Sequence, residues 1–492
     1  MPSVNKSITN GILWTAVGKY STVIISIIVT AVLARLISPK EFGVVAIASV
    51  AIAFLSMISN MGFGPAIIQN KRLSAKDLDG IFSYTILIGL ILSILLTCCA
   101  PFIAKYYNDE SLKVITKLLA VELFFSTINI VPNSLFLKNK NFKFIAKRTF
   151  FINVITGIVS VVYAFYGGGC YALLVSPILS SILIFFVSLR VYPLKIDWNF
   201  SLKPIKAIFS YSFFQLLFNI LNYFSRNLDK LLIGKYLNMS ALGYYQKSYQ
   251  LMMYPLANIT SVINPVLQPF LSDYQDQKKM IASKNTKIFQ VLSSISFPIG
   301  MFFFFASEEI VRVMFGDQWL LAVPTFRILA LSIPLQIIFS TSGSIYQSAN
   351  ATNYMFYVEL FNSGITILGF ILSLTFGKTI EWFALAWDIT LAIGFVFSYI
   401  VLYKVVLKSS PICLFRQLVP MLTFAGIILI IDYMFQLFHI DFNLWLNLIL
   451  KGTLCLTIAL VVMLLTKDVL LTIIIAKIKN EEFTLLLRRK IY

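Results

Sequence analysis

Apolar runs of membrane-spanning length follow one another from Gly11 to Thr466, and that succession leaves the chain little choice of fold. Each run is about 20 to 28 residues long, enough to cross roughly 30 Å of hydrocarbon as a helix. We read about fourteen spans of this kind. They cover 11–36, 42–69, 80–104, 114–137, 145–166, 169–190, 207–236, 241–271, 288–314, 323–348, 353–376, 381–404, 413–437 and 443–466. The gaps between them are on the order of 15 residues at most, too short to fold a soluble domain. Hydrophobic residues make up 59% of the chain and charged ones 12%, which excludes an ordinary water-soluble globule. The expected class is an all-α integral membrane protein. The opening MPSVNKS is short and leads straight into a full span, so no cleavable signal is expected.

A net charge of +19 would suit a nucleic-acid binder, but the positions of the charges argue against one. With the N-terminus in the cytoplasm, the basic residues gather in the inner loops. Those loops hold Lys71, Arg72 and Lys76, then Lys138, Lys140, Lys143, Lys147 and Arg148, then Arg190, Lys195, Lys203 and Lys206. Further along come Lys278, Lys279, Lys284 and Lys287, then Lys404, Lys408 and Arg416, and finally Arg488, Arg489 and Lys490. The outer loops carry only scattered cations such as Lys40, Lys105, Lys113 and Lys378. This bias places both termini inside. Anionic headgroups facing those basic loops make membrane lipids expected partners, and no nucleic acid is expected.

The chain also repeats itself. Shifted by about 200 residues, as two transporter lobes would be, LARLISPKEFGVVAIA (33–48) falls on IGKYLNMSALGYYQKS (233–248) without a gap. Gly43 meets Gly243, Ile37 meets Leu237, Arg35 meets Lys235 and Pro65 meets Pro265. An even number of spans separates the copies, so the repeat is parallel. The expected organisation is a six-helix lobe over 1–199, a second over 200–408 and an extra helix pair over 409–466. The remainder, 467–492, is too charged to span and is expected to lie as an amphipathic helix on the cytoplasmic surface.

Polar side chains mark one face of the first helix in each lobe. In the seventh span Gln215, Asn219, Asn222, Arg226 and Asp229 recur at spacings of three and four, which holds them on one helical face beside Lys230. In the first span Thr15, Lys19, Thr22 and Ser26 keep the same phase. A single ionised group at the centre of a membrane helix costs about 2.5–3.5 kcal/mol, so this face must look at water, substrate or another polar helix. Arg226 and Asp229 are close enough in sequence to pair. A structural seam between packed helices would use the same residues as a hydrated central cavity. As a cavity, its basic balance of Lys19, Arg226 and Lys230 against Asp229 suits an anionic ligand such as a pyrophosphate. Tyr249, near the start of the eighth span, could stack on a sugar ring or simply sit at an interface.

Catalytic signatures are missing from the sequence. There is no HExxH, GxSxG or GxxxxGK[ST], and no GxGxxG between a strand and a helix, so no catalytic residue and no cofactor is expected. The one histidine, His439, cannot build a histidine metal cluster, and Cys98, Cys99, Cys170, Cys413 and Cys455 lack ligand spacing.

The segments ILWTAVGKYSTVIISIIVTAVLARLISPKEFGVVAIASV, MGFGPAIIQNKRLS, NLDKLLIGKYLNMSALGYY and MFGDQWLLAVPTFRILAL, in that order, resemble the Wzx-type polysaccharide flippases. These belong to the multidrug/oligosaccharidyl-lipid/polysaccharide exporter superfamily, and the likeness is to its colanic-acid and teichuronic-acid exporter branch. The resemblance implies two six-helix lobes around a central cavity, with access alternating between the two membrane faces. It implies a lipid-linked oligosaccharide as substrate, specifically an undecaprenyl-pyrophosphate-linked repeat unit, with a polysaccharide polymerase and a chain-length regulator as partners. Asp229, Lys230 and Gly234 match the family's second-lobe segment, and Gly43 and Gly243 its turn glycines. The extra C-terminal helix pair departs from the twelve-helix pattern drawn for these flippases. One alternative is a drug/cation antiporter of the same superfamily, which would need acidic groups where the first lobe has little beyond Glu122. The other is a membrane-embedded polymerase or ligase, which would need an outer loop large enough to hold an acceptor.

Overall fold

The structure, a computed structural model, describes residues 2–60, 63–70, 73–197, 220, 222–438 and 442–466, and among them it is helical without a strand. By its contacts the chain divides into two compact units, Met1–Gly243 and Tyr244–Tyr492.

In the first unit α1 (Pro2–Leu36) breaks at a polar turn and α2 (Pro39–Ser59) follows. The turn is written into SPKE. Ser38 caps the new helix, Glu41 reaches back to the Ser38 N–H at 3.0 Å, and Pro39 occupies the first turn, where no N–H is needed. A short α3 (Phe63–Gln69) precedes α4 (Ala75–Tyr107), which opens on a second capping box made by Ser74 and Asp77. One expected span, 114–137, is two helices, α5 (Ser111–Ile128) and α6 (Ile130–Lys138). Next come α7 (Phe142–Phe165) and α8 (Ala172–Val191). The link between them bends at Gly167 and Gly169, whose φ values of 84° and 50° suit glycine. The described part of the seventh span is α9, residues 222–236. Within this unit α1 packs on α7, α4 on α5, and α7 on α8.

Residues 38 and 238 play the same part. Asn238 Oδ1 accepts from the Ala241 N–H at 2.7 Å, as Ser38 Oγ accepts from the Glu41 N–H at 3.4 Å. The helix that follows, α10 (Met239–Ser272), brings Gly243 against Gly43. A Cβ on Gly43 would strike the Met239 carbonyl, and one on Gly243 the Pro39 carbonyl, so only glycine allows this backbone crossing.

The second unit continues with α11 (Lys278–Phe305), α12 (Ser307–Phe315), α13 (Val323–Phe339) and α14 (Ser342–Ser348). Then follow α15 (Thr352–Phe376), α16 (Ile380–Ile400), α17 (Ile412–Phe415), α18 (Val419–Leu437) and α19 (Leu444–Leu465). One continuous apolar core runs from Met252 through Phe289, Phe395 and Tyr399 to Met463, and α18 and α19 both pack on α11.

Twelve helical stretches among the described residues are long and apolar enough to cross a membrane. The two expected spans outside that set differ for separate reasons. Most of the seventh, 207–236, lies outside the described residues. The eighth, 241–271, is helical within α10 but carries Gln246, Lys247, Gln250, Asn258, Asn264 and Gln268. The expected surface helix over 467–492 also lies outside the described residues. All five cysteines are free thiols. The protein is a multi-pass membrane protein.

Candidate functional site

The polar face of α1 opens on a cavity of about 300 Å³ inside the first unit. Thr22, Ser26 and Thr30 line it from α1, Asn153 and Ser160 from α7, and Ser176 from α8. Close helix approach frames it. A Cβ on Gly157 of α7 would come within 2.6 Å of Val29 Cγ2, and one on Gly18 within 2.8 Å of Ala146 Cβ. Thr22 Oγ1 donates to the Gly18 carbonyl at 2.9 Å, Ser160 Oγ donates to the Ala172 carbonyl, and the Thr156 and Ser176 hydroxyls lie 3.3 Å apart. Several of these hydroxyls therefore already have protein partners and can still offer lone pairs to a guest.

Of the residues singled out on α1, Thr22 and Ser26 share this cavity, and Lys19 lies one turn earlier on the same helix, half-buried. Ile24 and Ile28, turned the other way, are 58% and 57% exposed, as a lipid-facing side requires. Asn153, Ser160 and Ser176 were not singled out from the sequence. The signal was present on α7, where Asn153, Thr156, Gly157 and Ser160 recur at helical spacing.

Gln215 and Asn219 lie outside the described residues. Asn222, Arg226, Asp229 and Lys230 stand on α9, which is tied to the rest of the first unit. Tyr223 Oη donates to the Val50 carbonyl at 2.5 Å, Tyr107 Oη to the Leu231 carbonyl at 3.4 Å, and the Lys235 ammonium lies 4.3 Å from the Tyr106 ring centroid. The expected partnership of Arg226 with Asp229 does not form. Asp229 is fully buried and its Oδ1 accepts from the Lys230 N–H at 2.7 Å, whereas Arg226 is exposed. Lys230 Nζ donates to Asn227 Oδ1 at 3.1 Å. Tyr249 belongs to the second unit, half-buried, with its ring 5.9 Å from Trp387 and 6.4 Å from Tyr245.

Arg148 departs from its reading as an inner-loop charge. It sits within α7 at 7% exposure, donating to Ser188 Oγ at 2.6 Å and to Asn133 Oδ1 at 3.1 Å, with the Phe136 ring 5.3 Å away. Three helices are joined through one guanidinium.

The family model described as polysaccharide biosynthesis protein matches residues 32–324, which takes in the Gly43–Gly243 crossing, the α1–α2 turn and all of α9. The chain belongs to that family. As a polysaccharide biosynthesis protein it is 26% identical over 372 residues to the teichuronic acid biosynthesis protein TuaB of Bacillus subtilis (strain 168), covering 75% of this chain and 76% of that one. It is 21% identical over 423 residues to the lipopolysaccharide biosynthesis protein WzxC of Escherichia coli (strain K12), covering 83% of each. Its fold is that of the lipid II flippase MurJ in an inward closed conformation, with a TM-score of 0.71 at 17% identity over 92% of this chain and 98% of that one. An inward-facing multidrug resistance transporter of the MATE family shares the fold at a TM-score of 0.60 and 13% identity, covering 80% of this chain and 99% of that one.

Proposed function

We propose that this polysaccharide biosynthesis protein translocates lipid-linked oligosaccharides across the bacterial inner membrane and catalyses no reaction of its own. The observation that carries the reading is the family match over residues 32–324 on a chain with the fold of a lipid II flippase. The cargo is an undecaprenyl-pyrophosphate-linked repeat unit destined for O-antigen, capsule or exopolysaccharide. Two six-helix lobes, 1–199 and 200–408, expose one central path to each face in turn, the C-terminal pair 409–466 flanks them, and both termini are cytoplasmic. Lys19, Arg226 and Lys230 draw the pyrophosphate, while the hydroxyls of Thr22 and Ser26, with Asn222, Gln215 and Asn219, receive the sugars. A polymerase and a chain-length regulator take over the product outside.

The MATE likeness favours a second reading, drug or cation export, because the same fold serves it. The basic balance of the α1 and α9 faces speaks against a cationic cargo. Deleting the gene and following lipid-linked intermediates separates the two. Intermediates accumulating in the cytoplasmic leaflet support the flippase, and unchanged intermediates with increased drug sensitivity overturn it. Reporters fused at Asn141 and Lys279 should read cytoplasmic and one at Gly168 external. Reversal at two of the three sinks the topology.

A further inference from the structure

A second cavity, of about 520 Å³, lies in the second unit where α11 and α18 end and α12 and α19 begin. Its volume falls in the range of small-molecule sites, roughly 300–1,000 Å³. Six ionisable side chains line it, Glu308, Glu309 and Asp432 against Arg312, Arg327 and Lys451, so the wall carries no surplus of either sign. Most of those charges are already matched. Lys451 Nζ donates to Glu309 Oε1 at 2.6 Å, Arg327 pairs with Asp432, and Arg312 Nη2 lies 2.9 Å from Glu308 Oε1. A pyrophosphate would want excess cations and a metal ion would want unclaimed carboxylates. This wall offers neither.

It does offer one unclaimed polar atom and a ring. Glu309 is 5% exposed, and its second oxygen, Oε2, is buried without a hydrogen-bond partner on a wall of the cavity. Arg312 Nε makes no hydrogen bond but lies 3.7 Å from Asp317 Oδ1 in an ion pair of its own. One acceptor, Glu309 Oε2, is thus left over from the ion pairs. At the rim Phe442 is 49% exposed, and buried Asn447 grips its backbone from both sides. The Phe442 N–H donates to Asn447 Oδ1 at 3.3 Å, and Asn447 Nδ2 donates to the Phe442 carbonyl at 3.4 Å. An aromatic ring whose backbone is held beside a charge-balanced polar pocket matches a guest with hydroxyls on its edges and C–H groups on its faces.

We propose that this cavity binds a neutral sugar residue, with Phe442 against the ring face and Glu309 Oε2 accepting from one of its hydroxyls. On the topology proposed above, which this part of the inference rests on, the cavity opens at the outer face, where an exported glycan would leave the protein. The site is separate from the polar face of α1.

The test uses the purified full chain in lipid nanodiscs and saturation-transfer NMR. Methyl β-D-glucopyranoside and methyl β-D-galactopyranoside are the neutral probes, with methyl β-D-glucuronide and inorganic pyrophosphate as charged controls. At least one neutral glycoside should show transfer. Its affinity should fall roughly tenfold in Phe442→Ala, which removes the ring and touches no ion pair. Glu309→Gln should weaken it comparably, with thermal unfolding checking that the variant is folded. No transfer from either neutral probe overturns the proposal. So does pyrophosphate or glucuronide binding as well as the neutral probes, or unchanged affinity in folded Phe442→Ala. Phe442→Cys, in a background cleared of native cysteines, should react with an impermeant thiol reagent from outside. Reaction only from inside overturns the placement. Glycoside binding without export in cells would strike the flippase reading and leave this site standing, and the converse would strike the site alone.

Discussion

Where the second unit packs Trp319, Tyr245, Tyr346, Tyr399, Tyr403, Phe289 and Phe395 out of reach of solvent, the first unit contributes, among the described residues, only Phe136 to the largest fully buried side chains. The four ion pairs among the described residues also lie in the second unit. The first unit keeps a cavity walled in part by hydroxyls, and Thr22 on that wall satisfies its own on the carbonyl four residues back in its helix, as Thr127 and Ser188 do elsewhere in the unit. A polar group bonded to its own backbone loses little whether its free side meets water or another helix. A buried ion pair tolerates no such change, because separating it leaves two charges in a poor solvent. A wall that must be wet in one state and packed in another is therefore better made of serine and threonine than of lysine and glutamate. The first unit has a wall of that kind, and the second has the more extensive buried aromatic core.

The contrast breaks most sharply at Lys451. Changing Lys451→Met strands the Glu309 carboxylate in its buried position, which should cost about 3–5 kcal/mol. Thermal unfolding of the purified variant should show a large drop in midpoint, or its level in the membrane should collapse. Adding Glu309→Leu should restore much of the loss, since the pair as a whole contributes less than either partner left alone. Losses that simply add would show that the two groups are not coupled.

Arg148 is the first unit's counterpart, a buried cation held by neutral partners. Arg148→Leu leaves Ser188 and Asn133 without their donor and should cost about 1–3 kcal/mol. Arg148→Lys should recover only part of it, because one ammonium cannot reproduce the two-pronged contact. A loss as large as that of Lys451→Met would erase the distinction between the units.

These two positions also show what a sequence can and cannot reveal. The spanning helices were legible because apolar length is a local property, and the SPKE turn because a capping box is written in four adjacent residues. Thr22 and Ser26 were legible because their phase on one helix fixes a common face. Arg148 was not. It stands among Lys143 and Lys147 in a basic stretch, and only tertiary packing buries one of the three. Glu309 was missed for a similar reason, since its partner Lys451 lies far along the chain and no spacing rule links them. The pairing of Arg226 with Asp229 failed because helical spacing permits a contact without supplying one. Burial separated the two side chains.

Transport tests the basic face. Lys19→Ala and Arg226→Ala should each lower polymer export several-fold at unchanged membrane level, with Arg226→Lys keeping part of the activity because a point charge still attracts a phosphate. Export unchanged in both alanine variants would leave the hydroxyls alone to define the path. Cysteine labelling then probes the wall itself. In a cysteine-free background, Ser26→Cys and Asn222→Cys should react with small polar thiol reagents, and added substrate should alter their rates. Ile24→Cys should be protected by lipid. Equal reaction at Ser26 and Ile24 would mean that α1 has no wet side.

The smallest effect is expected at Arg312, which sharpens the comparison by separating charge from burial. Its pairs with Glu308 at 2.9 Å and Asp317 at 3.7 Å involve the same kinds of group as the Lys451 pair, in the same unit and on the same short helix as Glu309. The side chains differ in exposure, 39%, 53% and 81% for Arg312, Glu308 and Asp317 against 14% and 6% for Lys451 and Glu309. Solvent screens the exposed set, and removing one partner leaves the others hydrated. Arg312→Gln should thus cost at most about 1 kcal/mol. Its unfolding midpoint should stay close to that of the parent protein, and raising the salt concentration should narrow what difference there is. A loss approaching that of Lys451→Met would mean that the whole cluster at the start of α12 unfolds as one unit. The rigidity of the second unit would then rest on its network of charges and not on the burial of one pair.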